Sequence, residues 1–358
     1  MKKKTAAWIL AAGIAALTIV LIWGISMPNA SGVPSVPNDV LWARADTEAF
    51  FEEYPAEGID AINIDLSRHD LRVVPDDRDT IRVIQYGPAS GLDSRYLIHT
   101  SRSGSALNVS SSGTDVHVFF GLIPYTRVEI SVPEKYDGSI LAGTTSGDVD
   151  VEGVSASSLR IETTSGEADA ADIRNAREVT VSATSGDAEL SRFSASDVTV
   201  RTTSGDVDVN EVQADSLRSE TTSGDAELVS IHADTLQCSA SSGSVSVRGA
   251  SEVGVADIDS TSGDVSTTFD TLREYTRSAT SGSTDLTVKD AAELKSIRAE
   301  ASSGDVYIAL PDGTSVRADL RPTSGSTYTR GIGTFVMSDS GIPVEVSTTS
   351  GSITLEAA

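Results

Sequence analysis

The sequence predicts an all-β protein: a single-stranded parallel β-solenoid behind an N-terminal transmembrane helix. Three observations carry that prediction. A Ser-Gly pair recurs at near-constant spacing, small aliphatics alternate with polar residues on both sides of it, and an uncharged run of 23 residues directly follows three lysines.

The amino terminus comes first. Lys2, Lys3 and Lys4 precede Thr5–Met27, which carries no charge. A helix of that length crosses a hydrocarbon core of about 30 Å at about 1.5 Å per residue. Trp8 and Trp23 stand near its ends, where interfacial indoles are favoured. The positive-inside rule puts the lysines in the cytoplasm and the rest of the chain outside. Residues 1–27 therefore read as a cytoplasmic tip and signal-anchor. The alternative is a cleaved signal peptide, whose apolar stretch is usually about 7–15 residues. The run here is longer, and Met27-Pro28-Asn29-Ala30 is a poor cleavage signal, although Pro28-Asn29-Ala30-Ser31 leaves cleavage open. Both readings export residues 41–358. Residues 28–44, with Pro28, Pro34 and Pro37, form an extended linker.

Composition narrows the partners. The formal net charge is -25, and residues 41–358 carry 24 basic against 51 acidic side chains. Nucleic acid is excluded as a partner, because a polyanion needs a basic footprint. A single cysteine, Cys238, excludes an intrachain disulfide framework and a thiolate zinc cluster. Aromatics make up only 5% of the chain, so the core is built from small aliphatics.

The repeat is the dominant signal. Its glycines are Gly147, Gly166, Gly186, Gly205, Gly224, Gly243, Gly263, Gly282, Gly304, Gly325 and Gly351, each preceded by Ser. The gaps are 19 or 20 residues until Gly282, then 22, 21 and 26. Two and four places after Gly stand pairs such as Val149 and Val151, Ala188 and Leu190, Val207 and Val209. Seven and five places before it stand Leu159 and Ile161, Val179 and Val181, Val198 and Val200. Polar residues fill the positions between, which is the period of a strand with one buried face. Each unit is thus strand, Ser-Gly corner, strand and a return loop such as Gly153-Val154-Ser155-Ala156. Constant period and matching columns favour a coil with stacked equivalent positions over a meander. Crossovers between parallel strands are usually right-handed, so a right-handed coil is expected. Residues 141–358 form this solenoid. The long gap before Gly351 reads as an excursion at the open end, where Phe335 and Met337 would cover the last apolar layer.

Residues 45–140 read as a β cap or as irregular first coils. They contain Ile62-Asn63-Ile64-Asp65-Leu66, Leu71-Arg72-Val73-Val74, Ile81-Arg82-Val83-Ile84 and Val128-Glu129-Ile130-Ser131-Val132. Residues 45–53 are expected as a short helix or an extended lead-in.

The repeated Thr-Ser-Gly-Asp, the amino-terminal membrane segment and Val132-Pro133 before the first Ser-Gly resemble the bacterial domain-of-unknown-function family 4097, over roughly residues 60–355. That resemblance implies a β-strand-repeat protein of the bacterial envelope with an adhesin label inferred from shape. Some members accompany membrane-stress systems. It brings no catalytic residue and no ligand. The stretched last repeats depart from the pattern, as does the chain end Thr354-Leu355-Glu356-Ala357-Ala358, which has no cell-wall sorting tail.

Candidate chemistry is sparse. Asp or Glu follows the corner glycine at Asp148, Glu167, Asp187, Asp206, Asp225, Asp264 and Asp305, and Ser at Ser244, Ser283, Ser326 and Ser352. Turn chemistry explains these residues. The alternative is calcium held by a chain of Asp187, Asp206 and Asp225, although calcium wants several oxygen ligands. His69, His99, His117 and His232 are scattered and read as surface or turn residues. Cys238 falls in an apolar column and reads as a small buried hydrophobe. Arg160, Arg177, Arg192, Arg201 and Arg218 read as solvated or locally paired. Lysine after Lys135 is confined to Lys289 and Lys295. Phe193, Phe269, Tyr275, Tyr307 and Tyr328 are too few to make a sugar platform, and some belong to the core. No catalytic, cofactor or metal residue is assigned. The expected function is a non-enzymatic, membrane-anchored extracytoplasmic scaffold or adhesin-like protein, linked to envelope stress or sensing, with an unknown surface partner. The alternatives are a polysaccharide-active β-helix enzyme and a calcium-dependent surface assembly module.

Overall fold

The computed structural model describes residues 47–88, 92–111, 126–249, 251–331 and 336–357. The expected signal-anchor and linker, His117 and Phe335 lie outside the described residues. Among those described, no helix is long and apolar enough to cross a membrane. The structure is almost wholly strand.

The repeats stack in parallel and in register. Strand Ser158–Ser165 lies between Ser139–Ser146 and Glu178–Ser185, pairing Leu159 with Ile140 and Val179, and Ile161 with Ala142 and Val181. After the corner, Ala168–Ala171 pairs on both sides in the same way. A third, shorter stretch completes each turn, as Phe193, Ser194 and Ala195 pair with Val212, Gln213 and Ala214. The inward columns are fully buried: Leu159, Val179, Val198 and Leu217 are each at most 1% exposed. Stacking hides apolar faces that no single repeat could bury.

The corner has a steric cause. A Cβ built on Gly205 would lie 2.1 Å from the carbonyl oxygen of Gly186 on the rung below. Stacked rungs approach there too closely for any side chain. Backbone bonds tie the corner, from Gly205 N–H to the Ser223 oxygen and from Val207 N–H to the Asp225 oxygen, at 3.1 and 2.9 Å. The N–H between them, on Asp206, is taken by the Asp187 carboxylate at 2.8 Å.

A second corner was not anticipated. Six residues after the corner glycine the backbone turns left-handed, at Gly153, Asp172, Arg192, Glu211, Ser230 and Gly249 (φ between 54° and 82°). The sequence reading saw only a return loop there.

Both ends of the stack depart from sequence order. Strand Ala61–Leu66 sits between Ala106–Ser111 and Ser139–Ser146, and Asp70–Asp76 between Arg127–Pro133 and Val149–Glu152. The outer coil is closed by antiparallel strands: Ile98–Ser103 on Ala106–Ser111, Thr80–Gly87 on Arg127–Pro133, and Thr47–Pro55 on Thr80–Gly87. Residues 47–55 are therefore extended.

At the other end, Ile342–Ser350 inserts between Ser296–Ser303 and Ser315–Ser324, and Ile353–Ala357 between Val306–Leu310 and Thr327–Gly331. The expected excursion at the open end is corrected: the Gly351 rung is internal and the Gly325 rung is terminal. Burial supplies the reason. Ile353 and Leu355 are 0% exposed between two rungs, whereas Thr327 and Thr329 in the equivalent positions of the terminal rung are exposed. The apolar coil goes inside and the threonine-bearing coil takes the solvent. Met337 does not cover the last layer; it is 61% exposed.

Candidate functional site

The corner ladder is the most regular chemical feature. Asp148, Asp187, Asp206, Asp225, Asp264 and Asp305 each accept, through Oδ1, the backbone N–H of the residue after the next rung's corner glycine, at 2.7–3.0 Å. The acceptor therefore serves the rung above, and Ser244, Ser283 and Ser352 donate their N–H to such a carboxylate while carrying none themselves. The carboxylates expected as turn residues satisfy amides that the β ladder leaves over. Among the described residues no group of three or more His, Cys, Asp or Glu is placed to hold a metal ion.

Beside this ladder runs a second acidic column, including Asp150, Asp169, Glu189, Asp208 and Glu227, stacked rung on rung. Burial pushes the Asp169 carboxyl up to about 6, reinforced by Glu189, Glu167, Asp150 and Asp148. Asp150 and Asp208 are raised as well, burial again being the largest cause. Arg72 pairs with Asp150 and Glu152 at one end of this column, and Arg248 with Glu227 further along.

The other singled-out residues fall in ordinary places. Arg160 pairs with Glu162, Arg201 and Arg218 with Glu220, Arg192 with Asp172 and Lys289 with Asp270. Cys238 is buried, and burial raises its thiol to about 12. Phe193, Phe269 and Tyr275 are core, Tyr307 donates to Glu356, and Tyr328 is 41% exposed. The surface reading of His69 is corrected. It is 6% exposed and bonded to the Thr126 hydroxyl, and burial lowers its pKa to about 4. Its neighbouring strand closes over it, which no local pattern reveals. His99 is exposed.

Arg277 was missed. It stands five places before Gly282, in the column of Ile161, Val181 and Ile258, and is 1% exposed. Its guanidinium reaches the Thr284 hydroxyl at 3.3 Å and the Ser278 carbonyl, while Nη2 has no partner among the described residues. A charge in a column otherwise filled by aliphatics, Ser219 and Cys238 was the available signal.

The third side of the coil holds a groove of about 770 Å³. Its floor is the stacked column Ala195, Ala214, Ala233, Val253 and Leu272. One rim is the outward ladder Ser194, Gln213, His232, Glu252 and Thr271, rung by rung. The other carries Asp215, Asp234 and Arg273. A Cβ on Gly254 would lie 2.4 Å from the Asp234 carbonyl oxygen and 2.9 Å from the Arg273 guanidinium, so the glycine lets the neighbouring rung close on it. The groove thus sets carboxylates beside an arginine, the arrangement a polysaccharide-cleaving site would use. All of these carboxylates are exposed, and none lies in an apolar pocket of the kind that makes a general acid.

With the rungs, corners and faces defined, comparison with known proteins is informative. The family model Toastrack DUF4097 matches residues 59–290, more than half of the chain. The chain belongs to this family. A "putative adhesin" of Parabacteroides distasonis is 11% identical, over 87% of this chain and 98% of that one, with a TM-score of 0.37. A "putative lipid binding protein" of the same organism is 15% identical, over 86% and 96%, with a TM-score of 0.34. A "putative cell adhesion protein" of Clostridium sporogenes is 10% identical, over 87% and 100%, with a TM-score of 0.21. Similarity at this level carries nothing about what this Toastrack protein binds. No curated protein matches it.

Proposed function

We propose that this Toastrack protein is a non-enzymatic, extracytoplasmic binding scaffold, a right-handed solenoid tethered to the cell membrane by the helix of residues 5–27. The observation that carries the reading is the surface itself. The same polar ladders repeat from rung to rung, with their surface charges solvated, paired or bonded to backbone, and the stack presents open grooves on more than one face. Such a surface suits weak contacts multiplied along an extended partner. The Lys2–Lys4 cluster before an uncharged run supports the topology. Protease treatment of intact protoplasts tests it. Removal of the C-terminal domain is expected; full protection would refute the assignment, and a mature chain starting near residue 31 would replace the tether by secretion.

A second reading, a polysaccharide-active enzyme, is favoured by Asp215, Asp234 and Glu252 lying in one groove with Arg273. Turnover of an acidic or neutral polysaccharide by the purified protein would establish that reading instead.

A further inference from the structure

We propose that copies of this protein stack end to end: the edge strand Thr327–Gly331 at the carboxyl-terminal end of one stack pairs with the edge strand Thr47–Pro55 at the opposite end of a second copy. The contact uses only the two ends and is independent of the grooves along the stack.

The carboxyl-terminal end is open. In the inner rungs the N–H two places after the corner glycine donates to the next rung, from Val306 to the Ser352 oxygen and from Ile353 to the Ser326 oxygen, both at 2.9 Å. The same N–H on the terminal rung belongs to Thr327, and no further rung among the described residues receives it. The core is uncovered there as well. Ala318 and Leu320 are half-buried, whereas their partners Val344 and Val346 on the adjoining rung are at most 2% exposed. Such an edge is a template for another strand.

The opposite end supplies that strand. Among the described residues Thr47–Pro55 pairs only with Thr80–Gly87, so its other edge is open. Two antiparallel pairings link it to Arg127–Pro133, and it therefore runs in the direction of the stacked strands of this sheet. Thr327–Gly331 of a second copy can continue the sheet in parallel. Phe50 and Tyr54 pack against the core, which leaves Phe51 and Glu53 on the outer face. On the terminal rung Thr327 and Thr329 hold the inward columns of Ile353 and Leu355, so Tyr328 is outward. A parallel register that keeps these faces sets Tyr328 beside Phe51 and Arg330 beside Glu53. Among the described residues the exposed large apolar side chains are Phe51 at 42%, Tyr328 at 41% and Met337 at 61%, and Met337 adjoins the terminal coil at Val316. All three lie at the ends of the stack.

Charge selects which ends meet. Thr47–Pro55 carries Glu48, Glu52 and Glu53 and no base. The bases near it are engaged, Arg82 with Asp76 and Arg102 with the Gly58 and Gly104 carbonyls. The terminal coil, residues 315–331, carries Arg317, Arg321 and Arg330 against Asp319 alone, in a chain where acids outnumber bases. Two amino-terminal ends repel each other, as do two carboxyl-terminal ends, and opposite ends attract. A head-to-tail contact of this kind does not close on itself and continues into a row.

Sedimentation velocity of the full chain in detergent micelles is the test. Over rising protein concentration an open series of dimers, trimers and longer species is expected, and high salt should weaken association severalfold. Thr329→Pro closes one end: Thr329 lies two residues beyond Thr327 and points its N–H the same way, so the ring replaces a donor that no inner strand uses. Phe51→Lys closes the other by setting a positive charge against the arginines. Each variant alone should associate at least tenfold more weakly. An equimolar mixture of the two should form dimers and nothing longer, since each keeps one intact end. Glu162→Ala, on a side face, should behave as the unaltered chain. Equal melting temperatures show that the variants fold, and the concentration series of the unaltered chain tests the contact without any substitution. A chain that stays monomeric at every concentration overturns the proposal. So does a single closed dimer, undiminished growth of either variant, or a mixture that fails to dimerise.

Discussion

Replacing Gly205 by alanine is the sharpest perturbation of the corner. The new Cβ would stand 2.1 Å from the Gly186 carbonyl oxygen, 2.6 Å from its carbon and 3.0 Å from Asp187 Oδ1. Ordinary contact needs roughly 3.4 Å or more, so the two rungs must part locally by about 1 Å. Three hydrogen bonds hold them together there: Gly186 N–H to Ser204 O at 3.1 Å, Ala188 N–H to Asp206 O at 3.0 Å, and Asp206 N–H to Asp187 Oδ1 at 2.8 Å. An added ångström takes all three beyond useful length. At about 1 kcal/mol each, the loss is about 3 kcal/mol, and more for valine. Gly104 supplies the control. It has φ +62° with nothing within 4 Å of a built Cβ, so its alanine variant costs only the left-handed backbone term, about 1 kcal/mol. Urea denaturation followed by far-UV circular dichroism measures both. A Gly205→Ala midpoint no lower than that of Gly104→Ala would refute the steric account of the corner.

The other expectations follow from the same rungs. Asp206→Ala should destabilise by about 1 kcal/mol because the Asp225 N–H loses its acceptor, whereas Asp206→Asn keeps an Oδ1 and should be near neutral in the same denaturation assay. Glu211→Gly should stabilise by about 1 kcal/mol by relieving a non-glycine residue at φ 54°, read as a raised melting temperature. Asp169 is raised to about 6 in the fold, so its protonated form is favoured there. Its contribution is present below about pH 4 and is lost as pH rises to 6. Half exposure reduces this to about 1 kcal/mol. Melting temperature should fall across that window, and Asp169→Asn should flatten the fall.

The strands and the first corner were readable because their causes are local and repeated. Alternation at Val207 and Val209 or Val198 and Val200 reports a one-sided burial that each rung suffers identically. The Ser-Gly spacing reports a contact between rungs that only glycine permits. The second corner was hidden because its left-handed position is filled by Asp172, Arg192, Glu211 and Ser230, with glycine only at Gly153 and Gly249. The exchange of order at the ends was hidden because it depends on comparing whole coils. Ile353 and Leu355 compete with Thr327 and Thr329 for the buried place, and the connection between them sets no rule of its own. The groove was not legible because its floor alternates with its rims over only a few residues per rung. His69 and Arg277 show the remaining limit, since a polar residue's burial is decided by what closes over it.

The ladders, corners and grooves exist only if the rungs stack in parallel register, including their exchanged order at the carboxyl end. Disulfide trapping tests this directly. Ser302, Thr349 and Thr323 are exposed residues adjoining their corners on the Gly304, Gly351 and Gly325 rungs, which lie in that order. Neighbouring rungs about 4.8 Å apart fall within the Cα separation a disulfide spans, and rungs two apart do not. Ser302→Cys with Thr349→Cys should therefore crosslink on mild oxidation, as should Thr349→Cys with Thr323→Cys, while Ser302→Cys with Thr323→Cys should not. Crosslinking of only the Ser302–Thr323 pair would mean that the coils stack in sequence order and would contradict the architecture described for this end.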